Sequence, residues 1–179
     1  YVSQIRDRLP AALSGCMWFT HGPAYAGCFT PIYSGTTAIP PSWSETPDFT
    51  RIDRSQMQWK SQLVDDLVGL RYQEAIQDVQ AVFNPAEKQM LAHQSAFERA
   101  AARVFERCGT AAAEQHVTAY SNACLEQVDA VCGQLVEYLM FKYLYSYPHV
   151  APPQLPRFHL PGVSETGHDD VHLDVRLVQ

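Results

Sequence analysis

The sequence has no run of lysines and arginines. Its 13 basic residues are scattered and outnumbered by 19 acidic ones, for a formal charge of −6. A phosphate-gripping face of the kind nucleic acids require is therefore not expected. Nor is there an apolar stretch near the ~20 residues that cross a bilayer. The best candidate, residues 135–147, is too short and carries Glu137 and Lys142. Neither nucleic acid nor membrane is an expected partner. No CxxC pair occurs among Cys16, Cys28, Cys108, Cys124 and Cys132. That odd set argues against a zinc ribbon and against a disulfide framework. Buried free thiols are the plain expectation, with cytoplasm as the default compartment and a secreted or organellar one left open. A basic-then-apolar leader is also missing, and the first residue is Tyr1. A piece of a longer, processed polypeptide would begin this way, and so would a trimmed chain.

What is present suffices for a core: 46% of the 179 residues are hydrophobic, a size and composition suited to one domain or a large part of one. Three textures divide it. Residues 1–50 are rich in Pro, Gly, Thr and aromatics. Within them, residues 13–20 and 27–33 read as two short strands joined through His21-Gly22-Pro23. Pro31 cannot donate to a ladder, so its strand belongs at an edge or ends there. Cys16 and Cys28 are expected to face each other across this hairpin. Residues 53–146 read as helical. Trp59, Leu63, Leu67 and Leu70 recur at helical spacing, with a break expected near Arg71-Tyr72. Asn84-Pro85-Ala86-Glu87 reads as a fresh helix start, with Asn84 as cap, Pro85 in the first turn and Glu87 closing a capping box. Gly109 is expected to end that helix. The last helix carries Val117, Cys124, Val128, Val131, Leu135, Tyr138 and Leu139 on its apolar side, with Ser121 or Asn122 as a candidate interrupting cap. The residues from 147 to 179 form a third region. Five prolines exclude regular helix over its first part. Val171-His172-Leu173-Asp174-Val175-Arg176-Leu177 then alternates as a half-buried strand does, giving an extended arm that can add to a sheet or a partner.

Several sequence patterns occur in a telling order. Gln4-Ile5-Arg6-Asp7-Arg8-Leu9-Pro10 comes first. Pro31-Ile32-Tyr33-Ser34-Gly35 and Ile39-Pro40 come next, then Asp53-Arg54-Ser55 leading to Trp59, and finally Thr118-Ala119-Tyr120-Ser121-Asn122. Together, over residues 1–145, these resemble the carboxy-terminal half of cysteine dipeptidases of the N-terminal-nucleophile (Ntn) hydrolase type, the secernin-related group, and more distantly the choloylglycine hydrolases. Two positions depart in shape: Ile32 and Ile52 stand where relatives carry phenylalanine. The resemblance implies an α+β fold, the C-terminal part of an αββα sandwich, with strands first, long helices next and an extended C-terminal arm. It implies a domain portion over 1–146 and a Pro-rich tail over 147–179. It also implies that the nucleophilic cysteine opens a different segment, so this chain supplies no catalytic residue and needs no cofactor or metal. The implied function is the non-nucleophile chain of a two-chain dipeptidase-like amide hydrolase, inert alone. Its partner would be the N-terminal chain of the same precursor, in an oligomer, acting on a small peptide or amide.

Substrate-contacting groups are expected near the Gly22–Gly35 segment. Tyr33, Ser34 and Arg54 offer hydrogen bonds there, and Arg6 is a candidate to grip a terminal carboxylate as a two-pronged donor. The plainer roles are turn chemistry for Ser34, a surface or helix-starting place for Arg54 and an ordinary surface charge for Arg6. A Cys28 or Cys16 thiol paired with His21 is the less favoured catalytic option, because thiol activation needs an electropositive pocket. Asp170, His172 and Asp174 share one face of the terminal strand, but without a distant further ligand a solvated face is the better reading than a metal site. Tyr138, Phe141, Tyr143, Tyr145 and Tyr147 read as packing at a helix end. The competing functional class is a non-catalytic accessory or scaffold subunit.

Overall fold

The computed structural model describes residues 1–145, 151, 153–160 and 162. The chain is α+β, with a short antiparallel sheet first and long helices after it. Strands β1 (Val2–Ile5), β2 (Gly15–Phe19) and β3 (Thr30–Tyr33) lie in that order, β2 in the centre. Helical turns α1 (Ala11–Ser14) and α2 (Pro41–Ser44) flank them. Helices α3 (Met57–Leu70), α4 (Tyr72–Cys108) and α5 (Thr110–Leu139) come next, and a π-helical turn covers Met140–Tyr145.

The hairpin is real, but its register differs from expectation. Cys16 pairs with Tyr33 and Trp18 with Pro31, so Cys28 lies before β3 and not opposite Cys16. Leu13 is not in the strand. Pro10 precedes a single helical turn there, closed by the Leu13 amide donating to the Pro10 carbonyl at 2.7 Å. Pro31 falls on an edge strand, as its missing N–H requires. β1 went unread because four residues give too short a period-2 pattern, and three of them are exposed.

Side chains alternate across the sheet. Gln4, Cys16, Trp18 and Tyr33 face the helices, and Cys16, Trp18 and Tyr33 are buried. Ser3, Ile5, Met17 and Ile32 point to the other side, where Ile5 is 85% exposed and Met17 and Ile32 are half-buried. The helices form the bulk of the core. Val64, Val68, Val79, Met90, Val117, Leu125, Val128 and Leu135 are all fully or almost fully buried. Burying a side chain of this kind contributes roughly 1.5–3 kcal/mol before the ordering entropy is counted.

The chain breaks at Arg71 and again at Gly109, whose φ of 83° suits glycine. It does not break at Asn84-Pro85. α4 runs through Pro85 because Val79, Val82, Phe83, Ala86 and Met90 continue one buried stripe across it. Ala81 and Pro85 are both exposed, so the carbonyl that loses its helical donor faces water. Glu87 closes no capping box. Its carboxylate instead accepts the Phe29 amide at 2.8 Å. α5 is likewise uninterrupted at Ser121 and Asn122. The fully buried Ser121 hydroxyl bonds to the sheet segment, not to its own helix.

At the far end, Tyr138 and Tyr143 are buried, as packing at a helix end requires. Tyr143 donates to Asp78 at 2.6 Å, and Lys142 reaches the same carboxylate at 2.7 Å. Residues 153–160 are neither helix nor strand, yet Phe158 and Leu160 are buried against the core. The expected strand at 171–177, its acid and histidine cluster, and the packing role of the Tyr145 and Tyr147 side chains fall outside what is described. Among the described residues no helix is long and apolar enough to cross a membrane, and no group of His, Cys, Asp and Glu is arranged to hold a metal ion.

Candidate functional site

Residues from sequence motifs tens of positions apart meet in one buried polar junction between the sheet and the helices. Gln4 on β1 is its hub. Its Oε1 accepts from Arg6 at 2.9 Å, from Gln94 of α4 at 2.8 Å and from the Trp18 indole at 3.3 Å. Arg6 extends past it to Glu98, with the ion pair at 2.7 Å and side chains only 19% and 11% exposed. The Tyr33 hydroxyl donates to the same Glu98 oxygen at 3.1 Å. Removing one partner from such a pair strands the other charge away from water, which makes the junction a strong positional constraint.

A second set of contacts ties β3 to α5. The Tyr33 amide points off the sheet edge and reaches the Ser121 hydroxyl at 3.4 Å. Thr36 donates to that hydroxyl at 3.1 Å, and the Thr37 amide to Thr118 at 3.0 Å. Side-chain hydroxyls of α5 thus stand in for a fourth strand. Tyr120, one position earlier, stacks on Phe97 with centroids 3.8 Å apart, and Tyr33 leans on both rings. Burial pushes the Tyr33 and Tyr120 hydroxyls up and keeps both protonated. Gly35 completes the segment. A Cβ there would sit 2.6 Å from the Ala12 Cβ and 2.8 Å from its Cα, so glycine is required by backbone approach.

The four candidate substrate residues separate into two pairs. Arg6 and Tyr33 point inward and share Glu98. Ser34 and Arg54 are at the surface. The Ser34 hydroxyl donates to the Ala11 carbonyl at 2.6 Å and accepts the Gly15 amide at 3.2 Å, which is turn chemistry. Arg54 pairs with Glu137 of α5. Just before it, Asp53 accepts from the Ser55 amide and hydroxyl, which holds its carboxyl below the usual range. Gln94 and Glu98 escaped the sequence reading. Their signal was there, as polar side chains beside Met90, Phe97 and Ala101 on an otherwise apolar stripe.

Four of the five thiols, those of Cys16, Cys28, Cys124 and Cys132, are buried, and Cys108 alone is exposed. Burial raises Cys16 to about 11 against the opposing pull of Arg6, and raises Cys124 and Cys132 to about 12. Cys28 is pushed well up for the same reason. His21 is occupied elsewhere: Nδ1 contacts the Gln58 carboxamide at 2.9 Å and the ring packs on Trp43 and Phe19. Among the described residues His21 is paired with Gln58 and with neither Cys16 nor Cys28, whose thiols are buried.

Peptidase family C69 matches residues 1–84, the span that holds the sheet, Arg6, the Tyr33-Ser34-Gly35 segment and the start of α4. Over those residues the chain is similar to peptidase family C69. It is also similar to Dipeptidase A of Lactobacillus helveticus, 29% identical over 72 residues, which is 40% of this chain and 15% of that relative. The chain thus matches only a small part of that relative's length. No solved structure matches it. The C69-like span ends inside α4, while the junction it builds is completed by Gln94, Glu98 and Ser121 beyond it.

Proposed function

We propose that this chain is the non-nucleophile part of a dipeptidase-like amide hydrolase of the Ntn type. The reactive cysteine opens a separate segment, held as a partner chain from the same precursor. There the thiol attacks the amide carbon, the neighbouring free α-amino group takes its proton, and hydrogen-bond donors steady the developing oxyanion. This chain shapes the pocket. Ser34 and Arg54 are the two proposed contacts that reach solvent, while Arg6 and Tyr33 hold the wall from behind.

The observation that carries the reading is the one-sidedness of the sheet. Its β3 edge is closed by α5 hydroxyls, and Cys16, Trp18 and Tyr33 on its inner face are buried. Among the described residues no strand pairs with the free edge of β1, where Tyr1, Val2 and Ile5 are 82%, 56% and 85% exposed. The outer face offers Ile5, Met17 and Ile32. An open edge beside an apolar face is what a second sheet covers. The burial of Cys16 and Cys28 beside the sheet is consistent with a nucleophile supplied by another segment.

Terminal sequencing and intact mass of the protein purified from its native source provide the test, together with a dipeptide hydrolysis assay. The expected result is a companion chain beginning with cysteine, with hydrolysis abolished by alkylating that residue. Hydrolysis by the isolated chain, lost on Cys28→Ala, would overturn the proposal. An inert preparation with no companion would favour the accessory-subunit reading.

A further inference from the structure

A second feature is independent of the dipeptidase reading. The loop before β3 lies across the first half of α4 and leaves a cleft of about 130 Å³. Gln80, Asn84 and Glu87 share one face of the helix at spacings of four and three residues, and Tyr25, Phe29 and Phe83 supply aromatic surface. Glu87 sets the chemistry. Its side chain is half-buried, and one oxygen accepts the Phe29 amide at 2.8 Å. Among the described residues no arginine or lysine forms an ion pair with it, although Arg6, Arg51, Arg54, Lys60 and Lys142 all pair with other carboxylates. Tyr25, at the rim, donates to Asp65, so the mouth is also on the acidic side.

We propose that this cleft is a binding site for a small organic ammonium, a primary amine carrying a short apolar substituent. The carboxylate of Glu87 meets the charged nitrogen. The carboxamide oxygens of Asn84 and Gln80 are neutral acceptors for its remaining hydrogens, and the aromatic rings take the substituent and the diffuse positive charge. Size restricts the ligand. At about 130 Å³ the cleft suits an ammonium head and a few carbons and falls well short of a drug-sized pocket. A free amine and the amino terminus of a short peptide present the same charged head, and they differ in the group bonded next to it.

The test uses the whole chain and nitrogen–proton correlation spectra. Butylammonium and benzylammonium are titrated against butanol and benzyl alcohol, and glycinamide stands for a peptide amino terminus. The amines are expected to shift the amides of residues 24–29 and 79–87 saturably, with the alcohols about tenfold or more weaker, as loss of one charge-assisted bond implies. Glu87→Gln keeps an acceptor for the Phe29 amide and should weaken amine binding about tenfold while leaving the spectrum folded. Gln80→Trp, at an exposed position, should block the cleft with the carboxylate intact. Glycinamide binding as tightly as butylammonium would identify a peptide terminus as the occupant, and weaker binding a free amine. Equal shifts from amine and alcohol, no saturable shift, or amine binding indifferent to both substitutions would overturn the site.

Discussion

The two edges of the sheet are built from different materials. At β3 the outward amide of Tyr33 meets Ser121, and the chain just beyond is held by Thr118. At β1 the neighbouring positions are Tyr1, Val2 and Ile5, all exposed. The same contrast separates the two faces, with Gln4, Cys16, Trp18 and Tyr33 locked inward and Ile5, Met17 and Ile32 turned out. One side of this sheet is finished by its own helices. The other has apolar side chains and backbone groups available for a partner. Stability should therefore reside on the finished side and assembly on the other.

Substitutions can break that division. Glu98→Ala should have the largest effect. It leaves Arg6 without its anion and Tyr33 without its acceptor, and urea unfolding should show a loss of about 3 kcal/mol. Gly35→Ala forces a methyl against the Ala12 backbone and should cost about 2 kcal/mol in the same measurement. Ser121→Ala removes the acceptor shared by the Tyr33 amide and Thr36, for about 1 kcal/mol. On the outer face, Ile5→Ser should change the unfolding free energy of the isolated chain by no more than about 0.5 kcal/mol, yet weaken association with a companion chain in a pull-down.

Acid should act on the finished side as well. Burial holds the imidazoles of His93 and His116 below their ordinary 6.5. The unfolded chain then binds protons that the folded chain refuses. Their contribution is present above about 6.5 and is lost as pH falls through the lowered values. Both rings lie in the stack with Phe97 and Tyr120 between α4 and α5. His93→Gln with His116→Gln should flatten the dependence of unfolding free energy on pH between about 7 and 5. An unchanged slope would place the acid response elsewhere.

The difference between the two regions also governs what the sequence made legible. Helical periodicity, the break at Arg71 and the glycine at 109 are local signals and stand in the structure. Pro31 announced an edge because its missing donor is a local fact. Pro85 misled for the converse reason: it looks like a helix start locally, but the buried stripe on both sides holds one helix through it. Ser121 misled as a cap because its hydroxyl is claimed by a strand 88 residues away. The junction itself was half legible. Arg6 and Tyr33 stood out as motif residues, but their partner Glu98 becomes visible only when α4 is laid against the sheet. The outward role of Ile5 comes from pairing register, which four residues could not reveal in advance.

Hydrogen exchange on the isolated chain and on the assembled native preparation tests this asymmetry most directly. The amides of residues 2–5 that point away from β2 should exchange quickly in the isolated chain and slowly in the assembly, while those of Ile32 and Tyr33 stay protected in both. Equal protection of 2–5 in the two states would contradict the account, because the β1 edge would then need no partner.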